Sequence, residues 1–158
     1  MRSLLALLGC LWATGCSDLG FDVRSLTELE RAEIRWSRFG PDSYVYAARR
    51  ICFCPFDAPV RVRVESGIAV AWTYVGTGEP VPESMRPFFP TVEGLFAILR
   101  EAYADGAHDV RVSYDPALGY PAEFAIDYEE HVADEELGMQ VTEEPVPIIV
   151  SSGSAPGV

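Results

Sequence analysis

An α+β domain is the fold class this sequence predicts: an antiparallel sheet of five to six strands with two helices packed on one face. Two segments, residues 27–39 and 91–106, carry helical periodicity between capping signals. Short alternating runs rich in Val, Tyr and Ile follow each of them. Tight turns join those runs, and strands joined by short turns pair antiparallel.

The first helix is read from "TELERAEIRWSRFGP". Thr27 with Glu30 three residues later is a capping-box pattern. Leu26, Leu29, Ala32 and Trp36 make an apolar stripe that docks the helix on a sheet, and Gly40-Pro41 stops it. "SYVYAARRICFC" is rich in strand formers, with Tyr44, Tyr46, Ala48, Arg50, Cys52 and Cys54 on one face. "VRVRVE" alternates strictly, turns at Ser66-Gly67 and returns as "IAVAWTYV", a β-hairpin. Residues 76–90 form a proline-rich loop in which Met85, Phe88 and Phe89 either fold back on the core or rim a binding site.

"TVEGLFAILREAYADG" is the second helix, capped by Thr91, with Glu93 at its positive end. Its stripe is Val92, Leu95, Phe96, Leu99, Ala102 and Tyr103. "DVRVSYD" and "AEFAIDY" are a pair of strands around the turn "PALGYP", with Val110, Val112 and Tyr114 and then Phe124, Ile126 and Tyr128 facing in. In that turn Asp115 and Pro116 start the bend, Gly119 supplies a positive φ, and Tyr120 covers the core edge. "LGMQVT" offers a last short strand. The domain is expected over 27–142, with 143–158 a flexible tail.

The chain has 158 residues, 24 acidic against 12 basic, and a formal charge of −12. With no basic stripe, binding to nucleic acid is excluded, and the protein surface itself is repelled by anionic membranes. No phosphate-cradling glycine loop, nucleophile elbow or His-Glu-x-x-His zinc motif is present, and the sequence calls for no cofactor. Enzymatic activity is not expected from these features.

The N-terminus "MRSLLALLGCLWATGC" has one positive charge, a short apolar run and a small-residue exit. That is a secretory signal pattern, and the run is too short to span a bilayer, which takes roughly 20 residues. "ATGC" resembles the bacterial lipoprotein box, so residues 1–16 read as a lipoprotein signal peptide, Cys16 as the lipidation site and 17–26 as a tether. Cys10 ends a similar "LLGC", but cutting there leaves too short an apolar run. The membrane partner is then reached through lipid on Cys16, two or more acyl chains being needed for firm anchoring. Ser17 after that cysteine resembles an outer-membrane sorting signal on the periplasmic side in Gram-negative bacteria.

Export leaves Cys52 and Cys54 in an oxidising compartment with only each other as intramolecular partners. A flat strand holds residues two apart roughly 6–7 Å from each other, so a bridge requires a bend at Phe53. Pro55 ends the strand there, and a tight Cys52–Cys54 disulfide at the exit is the preferred reading. Three alternatives stand: a redox pair favoured by Arg49 and Arg50, a soft-metal site for Cu(I) or for zinc with His108 and His131, and two buried thiols. The acidic run "DYEEHVADEE" reads first as a solvated face, and as a hard-cation site through Asp127, Asp134 and Glu135 second. A glycosidase pair from Asp115 and Asp127 lacks any supporting cleft in the sequence.

"RICFC", "TVEGLFAIL", "VSYDPALGYPAEFAIDY" and "ADEE" together resemble a family of small secreted bacterial proteins, many of them lipoproteins, with a domain of unknown function. The residues carrying the resemblance include Trp36, Tyr44, Tyr46, Cys52, Cys54, Leu95, Phe96, Tyr114, Asp115, Gly119, Tyr120, Pro121, Asp127, Asp134 and Glu135. It spans roughly 27–142 and implies the element order and an envelope location, with no known activity. The expected role is a non-enzymatic binding or structural domain whose partner is an envelope protein or small ligand; the alternative is redox or metal handling at Cys52 and Cys54.

Overall fold

Strict alternation builds the sheet. Val60, Val62 and Val64 are fully buried, while Arg61, Arg63 and Glu65 point away from the core. The computed structural model describes residues 27–51, 58–129 and 136–150. Within them lie α1 (Glu28–Phe39), β1 (Tyr44–Ile51), β2 (Val60–Glu65), β3 (Ile68–Tyr74), α2 (Val92–Asp105), β4 (Asp109–Tyr114), β5 (Pro121–Asp127) and β6 (Leu137–Pro147). The six strands form one sheet in the order β3-β2-β1-β6-β5-β4, every neighbour antiparallel. The predicted α+β class holds, with the sheet at six strands.

The sheet is two three-stranded units joined along β1 and β6. The first is a meander whose β2–β3 turn places Ser66 at φ 49° and Gly67 at φ 77°. Two consecutive positive φ values are the twist-matched hairpin turn. The second unit is β4, β5 and β6, and α2 crosses between the two. Both helices lie on the face carrying Tyr44, Tyr46, Ala48, the three valines of β2, Phe124, Ile126 and Met139, all in one apolar cluster with Ala32, Trp36, Leu95, Phe96 and Leu99.

Cap chemistry starts both helices as the sequence predicts. The Thr27 hydroxyl accepts from the Glu30 backbone N–H while the Glu30 carboxylate accepts from the Thr27 N–H, a complete capping box. The Thr91 hydroxyl accepts from the Gly94 N–H, and Gly106 closes α2 in the left-handed conformation at φ 73°.

Three expectations need correction. Residues 143–147, assigned to the tail, are the second half of β6 and pair with β1. The pattern is hidden because β6 is bulged: the register slips between Val45 and Ala47 and again between Ala47 and Ala48, which breaks the period of two. Pro145 sits at the first slip, on a stretch that β5 does not pair, where its missing N–H costs no ladder bond on that side. Tyr103 does not join the buried stripe of α2 and stays half exposed. The 76–90 loop splits: Phe89 is buried and Met85 packs on the core, while Phe88 remains exposed. Residues 1–26 and 151–158, which carry the expected signal peptide, tether and end of the tail, lie outside the described residues.

The Asp115–Pro121 turn behaves as its residues require. The Asp115 carboxylate accepts from the N–H groups of Ala117 and Leu118, and Gly119 sits at φ 88°. A Cβ on Gly119 would stand 2.5 Å from the Ala32 carbonyl oxygen, so the turn docks directly on the backbone of α1. Gly119→Ala is expected to cost about 3 kcal/mol, combining left-handed strain with a backbone clash. Gly67→Ala, where a Cβ meets nothing, is expected to cost only about 1 kcal/mol. Urea unfolding of the two variants measures the difference.

Candidate functional site

Buried tryptophan and tyrosine rings bring polar tips to the core margin, and those tips need partners. Trp36 on α1 and Tyr44 on β1 meet edge to face at 5.4 Å, and Tyr120 packs on Trp36 at 6.3 Å. Glu93, in the first turn of α2, serves both tips. Its Oε1 accepts from Trp36 Nε1 at 2.8 Å and its Oε2 accepts from the Tyr44 hydroxyl at 2.9 Å. The Tyr44 oxygen in turn accepts from the Val92 N–H at 2.9 Å, one of the unpaired donors at the start of α2. Next to it the Tyr46 hydroxyl donates to the Pro90 carbonyl. Sequence reading sees Glu93 only as a helix-end charge, because its partners at 36 and 44 are 57 and 49 positions away.

At the far end of the same helices a groove of about 450 Å³ opens between the first turns of α1 and the last turns of α2. Thr27, Leu29 and Tyr103 contribute to its mostly apolar lining, and Glu28, Glu33 and Arg100 to its charged edge. Arg100 reaches across to pair with Glu33. Tyr114, stacked on Phe96 at 6.3 Å, has a buried hydroxyl that no described protein group reaches. Burial first, then the neighbouring Tyr103, Glu28 and Glu33, push that phenol well above its ordinary value.

The opposite face of the sheet carries paired polar side chains beside exposed Ile51, Ile68 and Val146. Arg61 and Glu143 flank the fully buried Ala47 in register and pair over it through two guanidinium nitrogens. Arg49 donates to Gln140, which donates to Glu123, a chain crossing β1, β6 and β5. Arg50 points to the helix side, its guanidinium 4.6 Å over the Phe88 ring and its Nε buried without a partner among the described residues. Burial pulls this guanidinium below the ordinary arginine value. Arg49 and Arg50 thus diverge to opposite faces.

Most sequence-selected site residues fall outside the described ones: Cys16, Cys52, Cys54, Asp134, Glu135 and His131. The described chain stops at Ile51, paired with Gly138 of β6, and Ile126 pairs with Leu137. Asp127 is therefore at that same end of the sheet, opposite Asp109, with one carboxylate oxygen buried and without a partner among the described residues. Asp109 carries an ion pair with Arg111. His108 is exposed at the start of β4. Among the described residues no group of three or more His, Cys, Asp or Glu is placed to hold a metal. Asp115 and Asp127 sit at opposite ends of the β4–β5 hairpin, about 20 Å apart by strand rise, too far for a glycosidase pair.

The profile of a family of unknown function, DUF6174, matches residues 28–144. No curated protein and no solved structure matches the chain. The matched span holds both helices, the clamp around Glu93 and Cys52 and Cys54; Cys16 precedes it.

Glu93→Ala strips the acceptor from two aromatic donors and is expected to lower stability by about 2–4 kcal/mol. Tyr44→Phe costs less in that background than in the parent, a coupling read from a double-mutant cycle. A second expectation concerns alkali. Tyr44, Tyr46, Tyr114, Tyr120 and Tyr128 are all held above the ordinary phenol value, chiefly by burial. The fold favours the neutral phenol, so this stability is complete below the unfolded-chain value of about 10 and falls as pH rises above it. Denaturant titrations stepped through that window test the sign, with phenolate absorbance appearing together with unfolding.

Proposed function

The chain belongs to DUF6174, a family of unknown function, and we propose that it is a lipid-anchored cell-envelope protein whose domain binds a partner or ligand, or serves the envelope structurally, without catalysing a reaction. The observation that carries this reading is the N-terminal run of Arg2, a short apolar stretch and Ala13-Thr14-Gly15 immediately before Cys16. Acylation there tethers the domain through residues 17–26, and Ser17 directs it to the periplasmic side of the outer membrane in a Gram-negative host. The net charge of −12 supports contact through lipid, because the protein surface is repelled by anionic headgroups. The family match starts at residue 28, which agrees with a leader and tether separate from the folded unit. A mostly apolar groove with a charged edge supports the binding part of the reading.

A second reading rests on where β1 ends. Its pairing with β6 reaches Ile51, so Cys52 and Cys54 follow at the exit of the strand. There they form a bridge, and a strained bridge is readily reduced and re-formed. In that case the domain handles electrons or a soft metal through the pair.

Mass spectrometry of the chain isolated from host membranes tests both. The expected mass places acyl groups on Cys16, and Cys52 and Cys54 alkylate only after reduction. An unacylated Cys16, or a Cys16→Ser variant that stays with the membrane fraction, overturns the anchoring. Free thiols in the isolated chain remove the bridge, and a stoichiometric metal moves the assignment to metal handling.

A further inference from the structure

α1 and α2 run antiparallel over the same face of the sheet, since Trp36 meets Glu93 and Glu33 meets Arg100. Beyond the second pair they enclose the groove of about 450 Å³. Leu29 and the half-exposed ring of Tyr103 form its apolar walls. Thr27, the cap of α1, is itself part of the lining. Thr27 is also the first described residue, so the chain enters α1 from the wall of the groove. Arg100 pairs with Glu33, which leaves Glu28 and Glu30 as an acidic excess at the edge.

The residues that lead into this cap are 17–26, between Cys16 and α1. Their apolar members are Leu19, Phe21, Val23 and Leu26, and Arg24 is their one base. In an extended chain Phe21 and Val23 share one side, and Asp22 between them points the other way. Phe21 reaches up to about 20 Å from Thr27, at roughly 3.4 Å per extended residue, so the groove that begins at Thr27 lies within its range. Because the segment is attached at the groove wall, its effective concentration there is on the order of millimolar. Arg24 is of the sign that the acidic edge attracts.

We propose that residues 21–26 seat in the α1/α2 groove of their own domain, with Phe21 and Val23 against Leu29 and Tyr103 and with Arg24 toward the acidic edge at Glu28. Apolar side chains upstream of α1 and an apolar groove at its start then cover each other. Seating shortens the tether. Its greatest reach falls from about 34 Å, for residues 17–26 extended, to about 14 Å for 17–20 alone. The start of α1 and the end of α2 are thereby held toward the lipid. A partner that takes the groove displaces the segment and returns the full reach to the domain. The inference builds on the reading of 17–26 as a tether, but seating needs no lipid: mass spectrometry reads the acyl groups and proteolysis reads the groove, so the failure of either is told apart from the other.

The test is trypsin cleavage after Arg24, run on the full chain in non-ionic detergent and followed by mass. Arg24 is the one basic residue between Arg2 and Arg31, and Arg31 lies inside α1, so the product is unambiguous. The protease takes the segment only when it is free of the domain, so the rate follows the unseated fraction. Phe21→Ser together with Val23→Ser is expected to speed cleavage at least about tenfold, and Tyr103→Ala by a similar factor. The first variant changes nothing within the described fold, so its effect reads the segment alone. Amide exchange on the same chains is expected to show residues 21–26 protected in the parent and unprotected in both variants. Equal cleavage rates in parent and variants, or no protection over 21–26 in the parent, overturns the inference. Protection that grows with protein concentration overturns it too, and assigns the groove to a second copy.

Discussion

One carboxylate decides where three elements meet. Trp36, Tyr44 and Tyr46 supply much of the aromatic volume between the helices and the first half of the sheet, and each is buried. Burying a ring is favourable only while its N–H or O–H still finds an acceptor; an unpaired tip costs about 1–3 kcal/mol. Glu93 meets two of those needs at once and sits in the first turn of a helix, where a negative charge is favoured. Tyr44 returns the interaction by accepting from the Val92 N–H, so the strand caps the helix whose side chain holds the strand. The arrangement is closed: α2 is hydrogen-bonded to α1 and to β1, and α1 and β1 meet through the Trp36–Tyr44 rings. Glu93 itself stays exposed, which spares the structure the cost of burying a charge.

The second constraint is the seam between the halves of the sheet. β1 and β6 are nearly a hundred residues apart in sequence, yet theirs is the pairing that makes one sheet of two units. Their register slips twice, and each slip increases local twist. On the open face the seam is held by the Arg61–Glu143 pair over Ala47 and by the Arg49–Gln140–Glu123 chain. Both partners of the ion pair are more than a third exposed, so its contribution is small and its use is to fix register across β2, β1 and β6.

Local signals were legible in the sequence because they are written in adjacent residues. The capping box of Thr27 and Glu30, the cap at Thr91, the Ser66-Gly67 hairpin, the alternation of β2 and the Asp115–Gly119 turn each depend on a few neighbouring positions. What escaped depends on distant ones. The second half of β6 reads as a tail because Glu143-Glu144-Pro145 has no alternation; only the β1 register explains it. Tyr103 shares the periodicity of the buried stripe, and only the position of α1 shows that it borders a groove. The clamp pairs residue 93 with residues 36 and 44, separations no local pattern encodes. The cysteine and acidic segments drew attention for their composition, and the described fold constrains them through their neighbours: Ile51, Gly138 and Asp127 gather at one end of the sheet.

The groove follows from the clamp. α1 is held near its C-terminal end, where Trp36 is fixed by Glu93, and beside its middle, where the Gly119 turn presses on the Ala32 carbonyl. The first contact joins α1 to the start of α2, and the second joins it to the β4–β5 turn. Nothing comparable draws its first two turns onto α2; the link there is the Arg100–Glu33 ion pair, whose long side chains can bridge helices without bringing their backbones together. Tyr114 ends the outermost strand; its ring stacks on Phe96 and its hydroxyl is buried with no partner among the described residues. With the aromatic clamp at one end of the helix pair, the other end is left with a mostly apolar groove edged by Glu28, Glu33 and Arg100.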